Sequence, residues 1–308
     1  MQDDQYNYDN VVPLPITASA SGELCQILYT DEYKELMGIA RAMLQSQEYS
    51  ERALHLTGLV IDTVPAFYTI WNYRFNIVKT LFGDSRDSLN EELDWLDEFT
   101  LSNPKNYQIW SYRQSILQIY PEPSFQRELP VLHLMLEDDT KNYHVWSYRK
   151  WCVMFFKDFS RELAFADDFI SRDVYNNSAW SHRMFVLKNT EATTALVNSE
   201  IKYAMSSIEL APQNVSPWNY LRGIYELFLN ERYDDEVISF ASKFVGNFFE
   251  SKEQTSAIDS SFALEFLAHV YSKDTEKNTL SIKAYDALSE RYDPIRKSFW
   301  QYKKGELE

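Results

Sequence analysis

Apolar residues recur at helical spacing along most of the chain. One stretch has apolar residues at positions 89, 93, 95, 96 and 99, and segments 163–170 and 197–210 follow a similar spacing. Residues three or four apart lie on one face of a helix, so each stretch predicts an amphipathic helix. Breakers such as Asn103-Pro104 and Pro212 separate these stretches. The pattern predicts helical hairpins, with the first helix beginning near Asp31 and a kink or late helix start at Pro130.

Tryptophan marks an internal repeat within this helical pattern. It recurs at Trp71, Trp110, Trp146, Trp180 and Trp218. Three copies carry Tyr three residues before the Trp and Arg three residues after it, namely Tyr68/Arg74, Tyr107/Arg113 and Tyr143/Arg149. The fourth copy has Asn177 and Arg183, and the fifth shifts its arginine to Arg222. These spacings place the aromatic rings and the guanidinium on one helix face, where we expect Arg to stack on a ring or bond a neighbouring carbonyl.

A repeat of this length predicts the fold class. One hairpin cannot bury its own apolar face, so successive hairpins must stack. We therefore expect an all-α fold, an α-α superhelix in which antiparallel hairpins form a right-handed crescent. Residues 31–308 are predicted to be a single domain with repeats centred on the five tryptophans, and helices continue through 233–303 without the Trp signature. Residues 1–30 are predicted to be an extended or mobile lead.

Composition narrows the class of protein. Only 7 glycines disfavour an all-β fold, and a formal net charge of −16 disfavours nucleic-acid binding. The two cysteines and five histidines show no metal-ligand spacing, so we expect no metal bound by this chain. No apolar run approaches the roughly 20 residues of a membrane span, and the N-terminus lacks the apolar region of a signal peptide. A cytoplasmic location is therefore the expectation.

Two repeat segments carry a family resemblance. Lys105-Asn-Tyr-Gln-Ile-Trp-Ser-Tyr-Arg113 and Lys141-Asn-Tyr-His-Val-Trp-Ser-Tyr-Arg149 closely resemble the repeat motif of the α subunit shared by protein farnesyltransferase and protein geranylgeranyltransferase type I. The tail Asp293-Pro-Ile-Arg-Lys-Ser-Phe-Trp-Gln-Tyr302 is similar to the same family. The resemblance covers about residues 30–303. It departs at Phe67, where the family usually has Asn, and it is loose over 229–290.

The resemblance implies an enzyme that is active only with a partner. The reaction transfers farnesyl or geranylgeranyl from the isoprenoid diphosphate to the Cys of a C-terminal Cys-aliphatic-aliphatic-X (CaaX) motif. Substrates would be CaaX proteins such as small GTPases. The partner is a β subunit that binds Zn²⁺, while Mg²⁺ accompanies the diphosphate. This chain would supply the scaffold and a lysine that contacts the diphosphate, with no nucleic acid and no membrane span involved.

Catalytic residues carried over from the family are Lys105 and Tyr107. Lys105 opens a repeat helix, and catalysis of diphosphate departure needs cations where negative charge develops. From the residues alone, Lys105 could equally be a solvated lysine at a helix start. Tyr107 follows on the same turn and could donate to the diphosphate or pack in the core.

Substrate-binding residues implied by the resemblance are Gln108, Tyr143, His144 and Asn142. Gln108 would hydrogen-bond the terminal carboxylate of the protein substrate, or it could face solvent. Tyr143 and His144 would line the site near the lipid diphosphate, although His144 could instead be a satisfied interface histidine. Asn142 lies at a helix start, where asparagine commonly caps free N–H groups.

Two other functions use the same fold. The chain resembles less closely the α subunit of Rab geranylgeranyltransferase, which shares the repeats but differs in the loops. A non-catalytic helical-repeat scaffold that binds peptides along its groove is the second alternative.

Overall fold

The computed structural model describes residues 6–15, 27–251 and 257–307. Within these ranges the chain forms fifteen α-helices and no strand, which confirms the all-α prediction. The chain divides into two compact units, Met1–Phe156 and Lys157–Glu308. The single domain predicted over 31–308 stays a prediction, and each unit is described by itself below.

The first unit stacks helical hairpins in chain order. Its helices are α1 (Asp31–Gln45), α2 (Glu51–Thr63), α3 (Tyr68–Phe82), α4 (Arg86–Ser102), α5 (Gln108–Ile119), α6 (Phe125–Asp138) and α7 (Tyr143–Phe156). α2 packs on α3, α4 on α5, and α6 on α7. α3 also packs on α5, and α4 on α6, so successive hairpins lie side by side. The first helix begins at Asp31 as predicted. Of the two alternatives expected at Pro130, the late helix start is wrong, because α6 runs through this residue, and the kink stays a prediction.

The second unit continues the hairpins. Its helices are α8 (Glu162–Arg172), α9 (Asn177–Asn189), α10 (Thr194–Leu210), α11 (Val215–Phe228), α12 (Asp235–Ser242), α13 (Ser261–Tyr271), α14 (Asn278–Ala287) and α15 (Lys297–Gly305). α8 packs on α9, α10 on α11, and α9 on α11. The last four helices confirm that the helical pattern continues beyond the Trp signature.

The repeat tryptophans are core residues. All five are buried, with 2–5% of each residue exposed. In four repeats the indole N–H donates to the carbonyl oxygen six residues earlier, at 2.9 Å in each case: Trp71 to Pro65, Trp146 to Thr140, Trp180 to Val174, and Trp218 to Pro212. The side chain therefore closes the loop that leads into its own helix.

The repeat arginines pair with buried glutamates that sequence reasoning missed. Arg74 donates through Nε and Nη2 to both oxygens of Glu92, at 2.6 and 2.7 Å. The hydroxyl of Tyr112, one repeat further on, donates to the same carboxylate. The expected contacts occur as well, because Arg74 lies over the Trp95 ring at 3.9 Å and donates to the Leu54 carbonyl.

This three-residue group recurs in both units. Its members are Arg74/Glu92/Tyr112, Arg113/Glu128/Tyr148 and Arg183/Glu200/Tyr220. A fourth copy places His182 on Glu162 at 2.7 Å. Each glutamate lies twenty residues before its tyrosine or histidine, and this constant spacing is the signal that could have predicted the groups. Residue Arg222, whose position in the repeat is shifted by one, instead lies partly exposed near Glu226.

The described part of the N-terminal lead packs on the first unit. Tyr8 is buried, with 3% of the residue exposed, and its hydroxyl donates to the Arg52 carbonyl at 2.9 Å. Leu14 donates its N–H to Gly38 and accepts from Arg41. A Cβ at Gly38 would lie 2.8 Å from the Pro13 side chain, so glycine permits this approach. Residues 1–5 and 16–26 of the lead lie outside the described residues.

Candidate functional site

Lys105 lies in the loop between α4 and α5 of the first unit. Its side chain is 66% exposed, and its ammonium donates to the Asp139 carboxylate in the loop between α6 and α7. The two residues are 34 apart in the chain, so each belongs to a different repeat. The loop entering one repeat helix therefore presents a cation beside a carboxylate from the loop entering the next.

Aromatic and imidazole rings surround this pair. The Tyr107 and His144 rings meet edge to face with centroids 6.1 Å apart, and Tyr143 lies 4.1 Å from His144. Tyr107 and Tyr143 are each 61% exposed. Together Lys105, Tyr107, Asp139, Tyr143 and His144 form what we call the Lys105 group. The structure thus brings together four of the six predicted site residues and adds Asp139.

The Lys105 group contains one positive and one negative charge, on Lys105 and Asp139. Burial and the nearby Lys105 ammonium both lower the pKa of His144 below its ordinary value, so the imidazole is neutral at neutral pH. The hydrogen bond from Lys105 lowers the pKa of Asp139, which is therefore ionised. The group therefore presents an exposed ammonium that is paired with one carboxylate and lies near a neutral imidazole and two exposed phenols. The ammonium and the phenol hydroxyls can donate hydrogen bonds to an anionic ligand.

Asn142 supports the Lys105 group from beneath. It is buried, its Oδ1 accepts from the His144 N–H at 3.1 Å, and its amide donates to the Pro104 carbonyl at 2.9 Å. Asn106 makes the same two kinds of bond, to Gln108 and to Pro65. Both asparagines cap their own helix and tie it to the preceding loop. The direct substrate-binding role of Asn142 stays a prediction.

Gln108 follows Tyr107 directly and is the first residue of α5. It lines a surface groove of about 220 Å³ between α3 and α5, together with Tyr68, Asn72 and Ser111. An amide in such a groove can donate to and accept from a polar ligand group. The contact predicted between Gln108 and a peptide carboxylate stays a prediction.

The loop that carries Lys105 departs from the repeat pattern. Helices α3, α7, α9 and α11 each begin three residues before their tryptophan, but α5 begins at Gln108, two residues before Trp110. Tyr107 instead takes the N-cap position of α5, with φ −77° and ψ −36°, but its side chain makes no capping bond. The Asn106 side chain accepts from the first-turn N–H groups in its place. The indole N–H of Trp110 is buried and has no hydrogen-bond partner among the described residues. The deviation falls at the loop that the sequence singled out for chemistry.

A second group of titratable side chains lies in the second unit. Glu226, Glu231 and His269 each bring one ligand atom within 4.8 Å of the others. Glu231 already pairs with Lys273 at 2.7 Å, and Glu226 lies 3.4 Å from Arg222. Two cations therefore compensate the two carboxylates, as in an ion-pair network. Sequence spacing missed this group because its members come from α11, the loop after it and α13.

No helix within the described ranges combines the length and the apolar character that crossing a membrane requires.

Comparison with known proteins identifies the repeats. A family model, the protein prenyltransferase alpha subunit repeat, matches residues 50–81, 89–120, 125–156, 159–190 and 197–228. Each matched segment contains one of the five repeat tryptophans. The matches cover more than half of the chain. The chain belongs to the protein prenyltransferase alpha subunit family.

Full-length relatives refine the position within this family. The chain is 44% identical to a protein farnesyltransferase/geranylgeranyltransferase type-1 subunit alpha of Candida albicans, over 100% of this chain and 99% of that protein. It is also similar to a solved Candida albicans protein geranylgeranyltransferase-I complexed with GGPP, with a TM-score of 0.86, 42% identity and coverage of 99% and 100%. The family resemblance and the fold class predicted from the sequence are confirmed.

The type-2 subunit is a more distant relative. The chain is 34% identical to a geranylgeranyl transferase type-2 subunit alpha of Rattus norvegicus, but over only 46% of this chain and 26% of that protein. The likeness to prenyltransferase alpha subunits of type 1 extends through the whole chain, whereas the likeness to type 2 does not.

Proposed function

We propose that this chain is the α subunit of a heterodimeric protein prenyltransferase of the farnesyltransferase/geranylgeranyltransferase type-1 kind. With a β subunit it transfers an isoprenoid from its diphosphate to the Cys of a C-terminal CaaX motif. The observation that carries the proposal is the exposed Lys105 ammonium, in a chain whose likeness to type-1 subunits runs end to end. Lys105 does not open α5 as expected from the sequence, but lies in the loop before it.

The chemistry assigns a role to Lys105. As the carbon–oxygen bond of the isoprenoid diphosphate breaks, negative charge grows on the departing oxygens. A preplaced cation stabilises that charge more than it stabilises the bound substrate, so it accelerates the chemical step. Tyr107, exposed on the same turn, can donate a hydrogen bond to the same oxygens.

The remaining site residues act around that cation in this proposal. Tyr143 and His144 contact the diphosphate end of the lipid, since the neutral His144 lies near Lys105 and Tyr143 packs against His144. Gln108 hydrogen-bonds the carboxylate of the CaaX protein from its groove. Asn142 contributes by holding the loops together, because its amide and its carbonyl oxygen are both used internally.

Within the described residues, neither Cys152 nor the Lys105 group is suited to hold the zinc that would activate a substrate thiol. Cys152 is buried, and burial raises the pKa of its thiol, which disfavours the thiolate that zinc requires. A second cation beside His144 would be repelled by Lys105. The proposal therefore places Zn²⁺ on the partner subunit and Mg²⁺ with the diphosphate. It also places the complex in the cytoplasm, with CaaX proteins such as small GTPases as its substrates.

The alternatives fit less well. A Rab geranylgeranyltransferase α subunit should resemble the type-2 relatives over its whole length, but only 46% of this chain does so. A non-catalytic scaffold gives no reason for an exposed lysine, two exposed tyrosines and a neutral histidine at one pair of loops.

The test is co-expression with candidate β subunits and a prenylation assay on a peptide ending in CaaX, with farnesyl and geranylgeranyl diphosphate. We expect activity from the heterodimer and about a 10²–10³-fold lower turnover for Lys105→Ala, by analogy with loss of one oxyanion donor. The matched control is Lys141→Ala, which alters the same position of the next repeat and should stay near wild type. An unchanged chemical step in Lys105→Ala would reject the role of Lys105, and inactivity with every CaaX peptide would reject the function.

A further inference from the structure

Asp139 is the contact of Lys105 that sequence reasoning did not identify. It follows α6 directly, and its side chain is 35% exposed. Its Oδ1 accepts from the Lys141 N–H at 3.1 Å, and its Oδ2 accepts from the Lys105 ammonium. One carboxylate oxygen thus fixes Asp139 in its own loop, while the other holds a cation that belongs to the preceding repeat.

The lysine side chain needs such a contact to have a defined position. It is a flexible four-carbon chain, and that of Lys105 is 66% exposed. A flexible ammonium must lose rotamer freedom whenever it binds an anion in one geometry. If Asp139 restricts Lys105 beforehand, that ordering has already occurred before the lipid arrives.

The bond to Asp139 leaves the Lys105 ammonium able to bind a second anion. A lysine ammonium has three N–H donors, and the bond to Asp139 uses one of them. Two donors remain for the oxygens of a diphosphate. Asp139 is ionised, because the hydrogen bond from Lys105 lowers its pKa, so it accepts one bond from the ammonium and leaves the other two N–H groups available.

We propose that Asp139 is a positioning residue for the prenyl-transfer step, holding the Lys105 ammonium where negative charge develops on the departing diphosphate. This inference rests on the proposed function. In the step, the thiolate sulfur supplies the electron pair of the new sulfur–carbon bond after its proton has left to solvent. The carbon–oxygen bond breaks with its electron pair remaining on the diphosphate, and Lys105 keeps its proton throughout.

Two roles of Asp139, orienting Lys105 or competing with the diphosphate for it, predict different effects of removing Asp139 on the chemical step and on lipid binding. If Asp139 orients Lys105, its loss slows the chemical step and changes lipid binding little, because the cation acts mainly in the transition state. If Asp139 instead competes with the diphosphate for the ammonium, its loss tightens lipid binding and leaves the chemical step unchanged.

The variant to use is Asp139→Asn in the assembled heterodimer. An asparagine keeps an oxygen that can accept from the Lys141 N–H, so the loop is retained while the charge is removed. The matched control is Asp173→Asn, because Asp173 holds the same place before α9 and its Oδ1 accepts from the Tyr175 N–H at 2.9 Å. Single-turnover kinetics and a directly measured dissociation constant for the isoprenoid diphosphate separate the two readouts.

We expect Asp139→Asn to slow the chemical step about tenfold and to change the lipid dissociation constant less than about twofold. The control should match wild type in both. In a Lys105→Ala background, Asp139→Asn should add no further slowing, since there is no ammonium left to orient. An unchanged rate in Asp139→Asn, tighter lipid binding, or a full additional tenfold loss in the double variant would each overturn the inference.

The two proposals fail separately. If Lys105→Ala leaves the chemical step unchanged, the assignment of Lys105 falls, and the role of Asp139 falls with it. If Lys105→Ala is slow while Asp139→Asn is not, only the positioning role is lost.

Discussion

Two ion pairs in the first unit join one repeat to the next, yet their surroundings differ. Arg113 and Glu128 are both 0% exposed, whereas Lys105 and Asp139 are 66% and 35% exposed. Breaking a buried pair leaves an uncompensated charge in a medium of low dielectric constant, while exposed pairs contribute little to stability. The same kind of contact therefore supports folding in the interior and leaves a cation available to a ligand at the surface.

Hydrogen bonding sharpens the contrast. Glu128 accepts from two nitrogens of Arg113 and from the Tyr148 hydroxyl. Burial opposes the charge on Arg113, but the Glu128 carboxylate outweighs it, and the pKa of Arg113 lies above its usual value. Asp139 accepts one bond from Lys105 and one from its own loop. All three hydrogen bonds to Glu128 come from buried side chains, whereas the side-chain bond to Asp139 comes from the exposed side chain of Lys105.

The largest expected effect is on the buried carboxylate. Glu128→Gln removes the fully buried counter-charge of Arg113 and leaves only the partly exposed carboxylate of Asp97, which also pairs with Arg113. We therefore expect the free energy of unfolding to fall by about 3–5 kcal/mol. Urea unfolding followed by circular dichroism measures this. Glu122→Gln is the control, because Glu122 pairs with Arg86 at 77% exposure and its loss should cost under about 1 kcal/mol. Equal losses in the two variants would contradict the comparison.

A smaller loss of stability is expected at the tyrosine of the same buried group. Tyr148→Phe keeps the packed ring but removes one donor to Glu128, which should cost about 1–3 kcal/mol. Tyr143→Phe, at a 61% exposed ring in the same helix, should leave the unfolding midpoint almost unchanged. A Tyr148→Phe chain as stable as wild type would show that Arg113 alone satisfies Glu128.

Removing the exposed cation should barely change stability. Lys105→Ala is expected to lower the free energy of unfolding by less than about 1 kcal/mol, despite the loss of turnover proposed above. The same urea titration checks this result. A loss comparable to that of Glu128→Gln would mean that the Lys105–Asp139 pair supports the fold rather than the chemistry.

The smallest expected effect is on the pKa of His144. Burial and the Lys105 ammonium hold it below the ordinary value, so Lys105→Ala should raise it part of the way back, and Asp139→Asn should lower it further. A histidine with a lowered folded-state pKa gives stability that is present above the unfolded pKa of about 6.5 and is lost as pH falls through the folded pKa. Lys105→Ala should narrow the pH range between the folded and unfolded pKa of His144 over which this stability is lost.

NMR titration of ¹⁵N-labelled histidines measures this pKa, with His144→Gln assigning the signal. Glu128→Gln serves as the control and should leave the pKa of His144 in place. A pKa that stays constant in both Lys105→Ala and Asp139→Asn would show that the exposed pair exerts no field on the imidazole.

The sequence predicted the repeating features better than their partners. Regular Trp spacing was enough to predict the hairpins, because a buried indole at each helix start constrains local packing. The arginine partners were missed, since a glutamate such as Glu92 within an amphipathic stretch is interpreted as solvent-exposed until its neighbours in space are known. The constant spacing of twenty residues between each glutamate and the following tyrosine or histidine was the signal in the sequence that marked these groups.

In the candidate site too, residues within the motif were predicted, whereas their partner from another loop was missed. Lys105 and His144 were named from their motif, and the structure places them together. Asp139 was not, because it pairs across repeats through space and no motif marks it. The grouping also required the distance between two loops, which depends on how α5 and α7 are capped by Asn106 and Asn142.

Each buried glutamate that bonds to two different helices determines how many helices must unfold together. Glu92 is held by Arg74 in α3 and by Tyr112 in α5, and Glu128 by Arg113 in α5 and by Tyr148 in α7. If one hairpin opened alone, a buried charged side chain in the neighbouring hairpin would lose its ion-pair partner. Opening is therefore expected to spread along the stacked hairpins of the first unit, so that slow amide exchange should report one cooperative event from α3 to α7 rather than fraying hairpin by hairpin.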